Sequence, residues 1–229
     1  VLRRRQRQMC IRDRFNITMF NTIILLQIIG LTNVPYYFDR RIHNLGNIGY
    51  SGKIHAEGAL VSTRVIDIIR YGGRNIRKEI MEPYKDKSVL DLCCGIGVST
   101  VENGIGIDTS FEMLKVAQRL NLNNKDNKTF YLSNAETYVS SEDIDIVTCM
   151  FAFHEMPEYA HKKIIENAIK IANEEVLIVD IASDYKPKEI MLTGEPYLLD
   201  YMSTIDKTLR DFEKTVYIDG HVHIWKYKC

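Results

Sequence analysis

The chain has 229 residues, 45% of them hydrophobic and 26% charged, with thirty basic and thirty acidic side chains. That is enough apolar material for one full core without staples, and it excludes a disordered or low-complexity protein. The charge is uneven: residues 1–14 hold six arginines and one aspartate, which leaves −5 on the remainder, and an acidic body argues against a phosphate-backbone binder with clustered Lys and Arg.

Residues 1–14, VLRRRQRQMCIRDR, carry no hydrophobic period. They are read as a non-native, adapter-like segment outside the fold, with Met19 a candidate start. Residues 15–34 contain no charge, but seven of the twenty are Asn, Thr or Gln, and the apolar centre is only Ile23 to Leu31. An amphipathic or buried N-terminal helix is expected there, with a membrane-surface anchor or a cleaved or spanning segment as alternatives. The five cysteines form no C-x-x-C pair, so reduced thiols and a cytoplasmic location are expected, or membrane association through residues 15–34.

After Pro35, residues 36–58 are rich in Gly, Asn, Tyr and His and read as a lid-like loop completing an N-terminal region 15–58. The main domain is expected over 59–229. Val61, Val65, Ile68 and Ile69 fall on one helical face, and Gly72-Gly73 ends that helix. Strands follow at Ser88–Cys93, Gly104–Asp108, Lys128–Leu132, Asp145–Phe151 and Glu175–Ile181. Thr109-x-x-Glu112 reads as a capping box for a helix through Leu120, and Pro157 opens another helix with Ile164, Ile165, Ala168 and Ile171 on its apolar face. Only residues 94–103 separate the first two strands, so the helix between them is a stub at most. Thr215–Ile218 and His221–Trp225 flank Asp219-Gly220, a strong hairpin signal. The expected fold is α/β: a doubly wound, Rossmann-like, mostly parallel seven-stranded sheet ending in an antiparallel hairpin.

In such a sheet, ligands bind beyond the carboxyl ends of the strands. Strand 1 ends in Asp91 and the loop Cys93-Cys94-Gly95-Ile96-Gly97, and strand 2 ends in Asp108. Asn134-Ala135-Glu136 follows strand 3, and Phe153-His154-Glu155-Met156 follows strand 4. NAD would need G-x-G-x-x-G, and Thr100 occupies the last position.

The acid-x-Gly-x-Gly-x-Gly layout, carried by Asp91, Cys93, Gly95 and Gly97, resembles motif I of class I S-adenosylmethionine (SAM) methyltransferases. The sequence is most similar to the ubiquinone/menaquinone methyltransferase-like branch. Asp-Leu-Cys-Cys-Gly, Phe-His-Glu-Met-Pro and Gly-Glu-Pro-Tyr also resemble a little-characterised algal and viral group. The resemblance implies SAM as cofactor. Asp91 would meet its ammonium directly or through water, and the glycine loop would meet its carboxylate. Asp108 would take the ribose hydroxyls and Glu136 the adenine amino group. Cys93 stands where the pattern has glycine and is expected to be tolerated as a small residue.

A small-molecule acceptor is expected at the end of strand 4, with His154 as general base. His43, Tyr50, Lys53 and His55 form a second polar group, from which Tyr50 and His55 are candidate ligand contacts. Tyr197 and Tyr201 are candidate pocket walls or core aromatics. His221-x-His223 puts two rings on one strand face, but no third ligand follows from spacing, and no metal is expected. A non-catalytic SAM-binding module and a protein or RNA methyltransferase are the alternatives, and no nucleic-acid contact is expected.

Overall fold

The computed structural model describes residues 35–229, so residues 1–14 and 15–34, with the expectations placed on them, lie outside the described residues. In chain order, the elements are α1 (Gly49–Tyr71), α2 (Ile76–Met81), β1 (Val89–Leu92), β2 (Ile105–Asp108), α3 (Phe111–Asn124) and β3 (Thr129–Leu132). They continue with β4 (Ile144–Met150), α4 (Glu158–Ile171), β5 (Ala172–Ile181), α5 (Glu189–Leu192), α6 (Leu198–Thr208), β6 (Glu213–Ile218) and β7 (Val222–Lys228).

The seven strands form one sheet in the order β3-β2-β1-β4-β5-β7-β6. The four pairings from β3 to β5 are parallel, whereas β7 runs antiparallel to both β5 and β6. Central strands of a parallel sheet are covered on both faces and read as continuous apolar runs. Accordingly, all four residues of β1 are buried, and β4 and β5 are buried over most of their length. The order reverses at β1, whose neighbours are β2 on one side and β4 on the other. A cleft at the carboxyl ends is therefore expected beside β1, β2 and β4.

Three local expectations need correction. The segment read as loop through residue 58 is already helical from Gly49. Its glycines do different work: Gly46 and Gly49 stand at φ +67° and +65°, and a Cβ on Gly52 would lie 2.6 Å from the Asn47 carbonyl carbon. The α3 cap is Ser110, one residue later than expected, and its Oγ accepts the Met113 N–H at 3.2 Å. Between β1 and β2 there is no helical stub; residues 93–104 run in turns. The space a crossover helix would fill is taken by α1, whose Ala56, Ala59 and Leu60 pack with Ile96 and Val98 of that connection and with Met113 and Val116 of α3.

The second face of the sheet closes on α2. Ile76, Ile80 and Met81 pack against Val89, Ile146, Leu177, Val179, Val222 and Ile224, one residue or more from each of β1, β4, β5 and β7. The hairpin turns at Asp219-Gly220 with Gly220 at φ +60°, and its strands extend further on both sides than the sequence suggested.

Gly106 in β2 has no room for a side chain, because a Cβ there would meet Phe130 Cδ1 at 2.7 Å and Cys94 Sγ at 2.8 Å. Gly106→Ala should overpack the β2–β3 layer and cost about 1–3 kcal/mol in urea unfolding. An unchanged unfolding midpoint would show that Phe130 moves aside freely.

Candidate active site

The β1 end is organised by Asp91. It is fully buried, and its carboxylate accepts hydroxyls from Ser99 at 2.9 Å, Thr100 at 2.7 Å and Thr148 at 3.1 Å. Thr148 arrives because β1 and β4 pair with Asp91 opposite Thr148. Burial raises the carboxyl above its ordinary value, and the three hydroxyls offset part of that rise. Through these bonds Asp91 ties the loop and β4 to the end of β1.

The loop above Asp91 alternates in backbone hand. Cys93, Gly95 and Gly97 have φ of +54°, +53° and +73°. Glycine adopts this region freely, and a residue with a Cβ does so at a cost of roughly 1 kcal/mol. Size alone was therefore the wrong criterion at Cys93, which stands in a left-handed conformation. Gly97 is doubly constrained, because a Cβ there would lie 2.6 Å from the Phe130 ring.

Asp108 closes the loop from β2. Its two oxygens accept the Gly95 N–H at 2.8 Å and the Ser110 N–H at 2.7 Å. Burial pushes its carboxyl up to about 6, although both amides work in the opposite direction. Each carboxylate oxygen has a second lone pair for a further donor. Glu136, after β3, is oriented by its own N–H donating to Asn134 Oδ1 at 2.8 Å and by an ion pair with Lys163 at 3.2 Å.

The β5 end carries a second buried aspartate that the sequence reading passed over. Asp180 accepts four N–H groups: Phe153 N at 2.7 Å, His154 N at 3.3 Å, Ile181 N at 2.7 Å and His154 Nδ1 at 2.6 Å. The turn after β4 is thereby folded down onto β5. His154 is 6% exposed, with the Tyr201 ring edge-on at 6.3 Å. Burial opposes its charge, but Asp180, with Glu195 and Glu155 nearby, raises the ring to about 10. This bias toward the imidazolium runs against the neutral general-base role expected of His154.

The N-terminal segment runs over this ground. Ser110 Oγ donates to the Asn47 carbonyl at 2.6 Å, next to Asp108. On the other side His43 donates its backbone N–H to the Gly194 carbonyl at 2.6 Å. His43 itself sits at φ +49°, and its ring lies between two carboxylates, Nε2 at 2.8 Å from Glu155 and Nδ1 at 3.0 Å from Glu195. Burial works against the cation, but the two carboxylates raise the ring overall. Burial would raise Glu155, yet the His43, His154 and His55 rings hold it down to about 2. In Glu195 burial prevails and the carboxyl rises to about 6.

His55 joins this group through its ring, 4.5 Å from that of His43. Its Nδ1 is 3.0 Å from the Gly46 carbonyl, an acceptor, so Nδ1 carries the proton and Nε2 the lone pair. Burial, with the His43 charge, lowers its pKa, so the ring is neutral. Tyr50 is not brought in: it is 81% exposed on the first turn of α1. Tyr201 is a core residue whose hydroxyl donates to the Ile181 carbonyl at 2.6 Å, and Tyr197 donates to Asp39 at 3.0 Å. His223 is buried in the hairpin, where its Nδ1 accepts the Ser183 N–H at 3.3 Å. His43, Glu155, Asp180 and Glu195 were not singled out together. The available signal for Asp180 was the same as for Asp91 and Asp108, an acid ending an apolar strand.

Residues 89–175, from β1 into β5, match the family described as methyltransferase domain. Magnesium protoporphyrin IX methyltransferase from Synechocystis, crystallised with SAH, superposes with a TM-score of 0.51 at 17% identity, covering 95% of this chain and 97% of that one. A SAM-dependent methyltransferase from Aquifex aeolicus gives 0.52 at 16% identity, with 66% and 88% covered. At these identities the likeness establishes the fold. No curated protein sequence matches the chain. The chain thus has the seven-stranded fold of these methyltransferases, and its segment 89–175, which spans the strands that build the cleft, matches a methyltransferase domain.

Proposed function

We propose that the chain methylates a small-molecule acceptor seated between the β4 and β5 ends and the segment 43–55. The observation that carries this reading is the closed ring of contacts Asp108–Gly95 and Ser110–Asn47 on one side and His43–Glu155 on the other. It sets a cofactor-type loop beside a cluster of imidazoles and carboxylates under one cover.

The donor set suits the cofactor. The left-handed turns at Cys93, Gly95 and Gly97 bring backbone close to the cleft, and in our reading they hold the amino-acid end, with Asp91 fixing the loop from beneath. Asp108 takes the ribose hydroxyls and Glu136 the adenine amino group. When bound, SAM supplies a methyl group already activated by its sulfonium, so the protein has to align the acceptor and accept a proton. Of the imidazoles, His55 suits the proton: it is neutral and its tautomer is fixed. His154, held as a cation by Asp180, orients Glu155 and the β4–α4 turn.

The finer assignment to the ubiquinone/menaquinone methyltransferase-like branch belongs to this proposal and is supported by the overall sequence resemblance, and the motifs after strands 1 and 4 support the algal and viral group.

Calorimetry should show binding of SAM and S-adenosylhomocysteine and none of NAD, and Asp108→Ala should weaken SAM by about 1.5–3 kcal/mol. Binding of NAD alone would overturn the reading. In a screen of acceptors with labelled SAM, His55→Gln should lower turnover roughly 10²–10⁴-fold with SAM affinity nearly unchanged. Asp180→Asn leaves the buried His154 cation uncompensated and should cost about 3–5 kcal/mol of stability, read by urea unfolding. Full turnover in His55→Gln would transfer the proton-accepting role elsewhere.

A further inference from the structure

We propose that His43, Glu155 and Glu195 form a binding site for a first-row divalent cation, of the Mn²⁺ or Zn²⁺ class, at the acceptor side of the cleft. One ligand atom from each of the three lies within 4.8 Å of the others. The glutamates lie against different ring nitrogens, Glu155 at Nε2 and Glu195 at Nδ1, so a cation held through one nitrogen at about 2.0–2.2 Å draws the other carboxylate round the ring toward it. One imidazole nitrogen with two carboxylate oxygens is a borderline-to-hard set. It suits Mn²⁺, Fe²⁺ or Zn²⁺, whereas copper(I) prefers sulfur and Ca²⁺ collects six to eight oxygens. Three protein ligands also leave coordination positions open for a small molecule, the arrangement of catalytic metal sites.

A second observation points to a ligand independently. Glu195 is 7% exposed, and while its Oε1 faces His43, its Oε2 is buried with no hydrogen-bond partner. A buried, unpaired carboxylate oxygen is costly, and a cation seated against Glu195 satisfies it.

The charges around the triad agree. His154 and Asp180 form a pair at 2.6 Å, and Asp180 is saturated by its four donors. That pair balances itself and leaves Glu155 and Glu195 as two negative charges facing His43. A dication matches them and takes His43 as a neutral ligand. His154, whose Nε2 lies 3.9 Å from Glu155, is the one cation near the triad that opposes this. The neighbouring His55 ring makes its fixed bond to Gly46 and is not needed as a ligand.

The test uses the full chain, stripped with chelator and without SAM. Titrated with Mn²⁺, its electron paramagnetic resonance should show free-ion signal lost to one site per chain. Zn²⁺ should compete for that site and shift the ring ¹⁵N signals of His43. Glu195→Gln and His43→Gln should each weaken Mn²⁺ at least tenfold, while Glu158→Gln on the outer face of α4 leaves it unchanged. No stoichiometric site in the wild-type chain, His43 signals unmoved by Zn²⁺, or equal binding in Glu195→Gln and Glu158→Gln would each overturn the proposal. Because SAM is absent throughout, the result is independent of whether the cofactor assignment holds.

Discussion

The contact on which the functional end of the molecule depends is the buried carboxylate of Asp180. A bare carboxylate in a protein interior is strongly disfavoured, and it is stable here because four N–H groups converge on it. Three of the four come from Phe153 and His154. The requirement to satisfy one charge at the end of β5 therefore dictates the path of the chain after β4. That path places Glu155 toward His43 and positions the His154 ring over Tyr201. Asp91 plays the same part at β1 with hydroxyls instead of amides. The two aspartates anchor the two sides of the cleft from its floor.

Electrostatics then divides the labour among chemically similar groups. Three histidines stand close together, and their environments push them apart. Asp180 raises His154, two glutamates bias His43 toward charge, and burial beside the His43 ring lowers His55. The glutamates separate in the same way, Glu155 held low and Glu195 raised. Divergent protonation within one small cluster is the pattern that acid–base and ligand-binding sites require.

The sequence made the architecture legible because its signals are local. An apolar run ending in Asp91, another ending in Asp108, and Asp219-Gly220 between β-rich segments each act within a few residues. The start of α1 was not legible, since Gly49 and Gly52 carry the composition of a loop, the first at positive φ where the helix begins and the second packed against Asn47. The shared surroundings of His43, Glu155 and Glu195 were not legible either. They lie in three segments separated by more than one hundred residues at the first gap and forty at the second, and only the β4 and β5 ends bring them together. The protonation of His154 depended on Asp180, a partner twenty-six residues away, so residue type alone suggested the opposite role.

The strand order has a consequence for how the chain is assembled. β7 lies between β5 and β6, although it is the last strand in sequence. Until residues 222–228 are available, β5 presents an open edge with unpaired amides along an apolar strand. Such edges template association with other chains. β6 cannot cover it alone, because its partner in the sheet is β7. The register runs to the final residues, Lys228 opposite Glu175 and the Cys229 N–H on the Glu174 carbonyl. The interior edge of the sheet is thus sealed only when residues 222–228 pair with β5, and from the completion of β5 until then the folding chain carries an exposed strand edge.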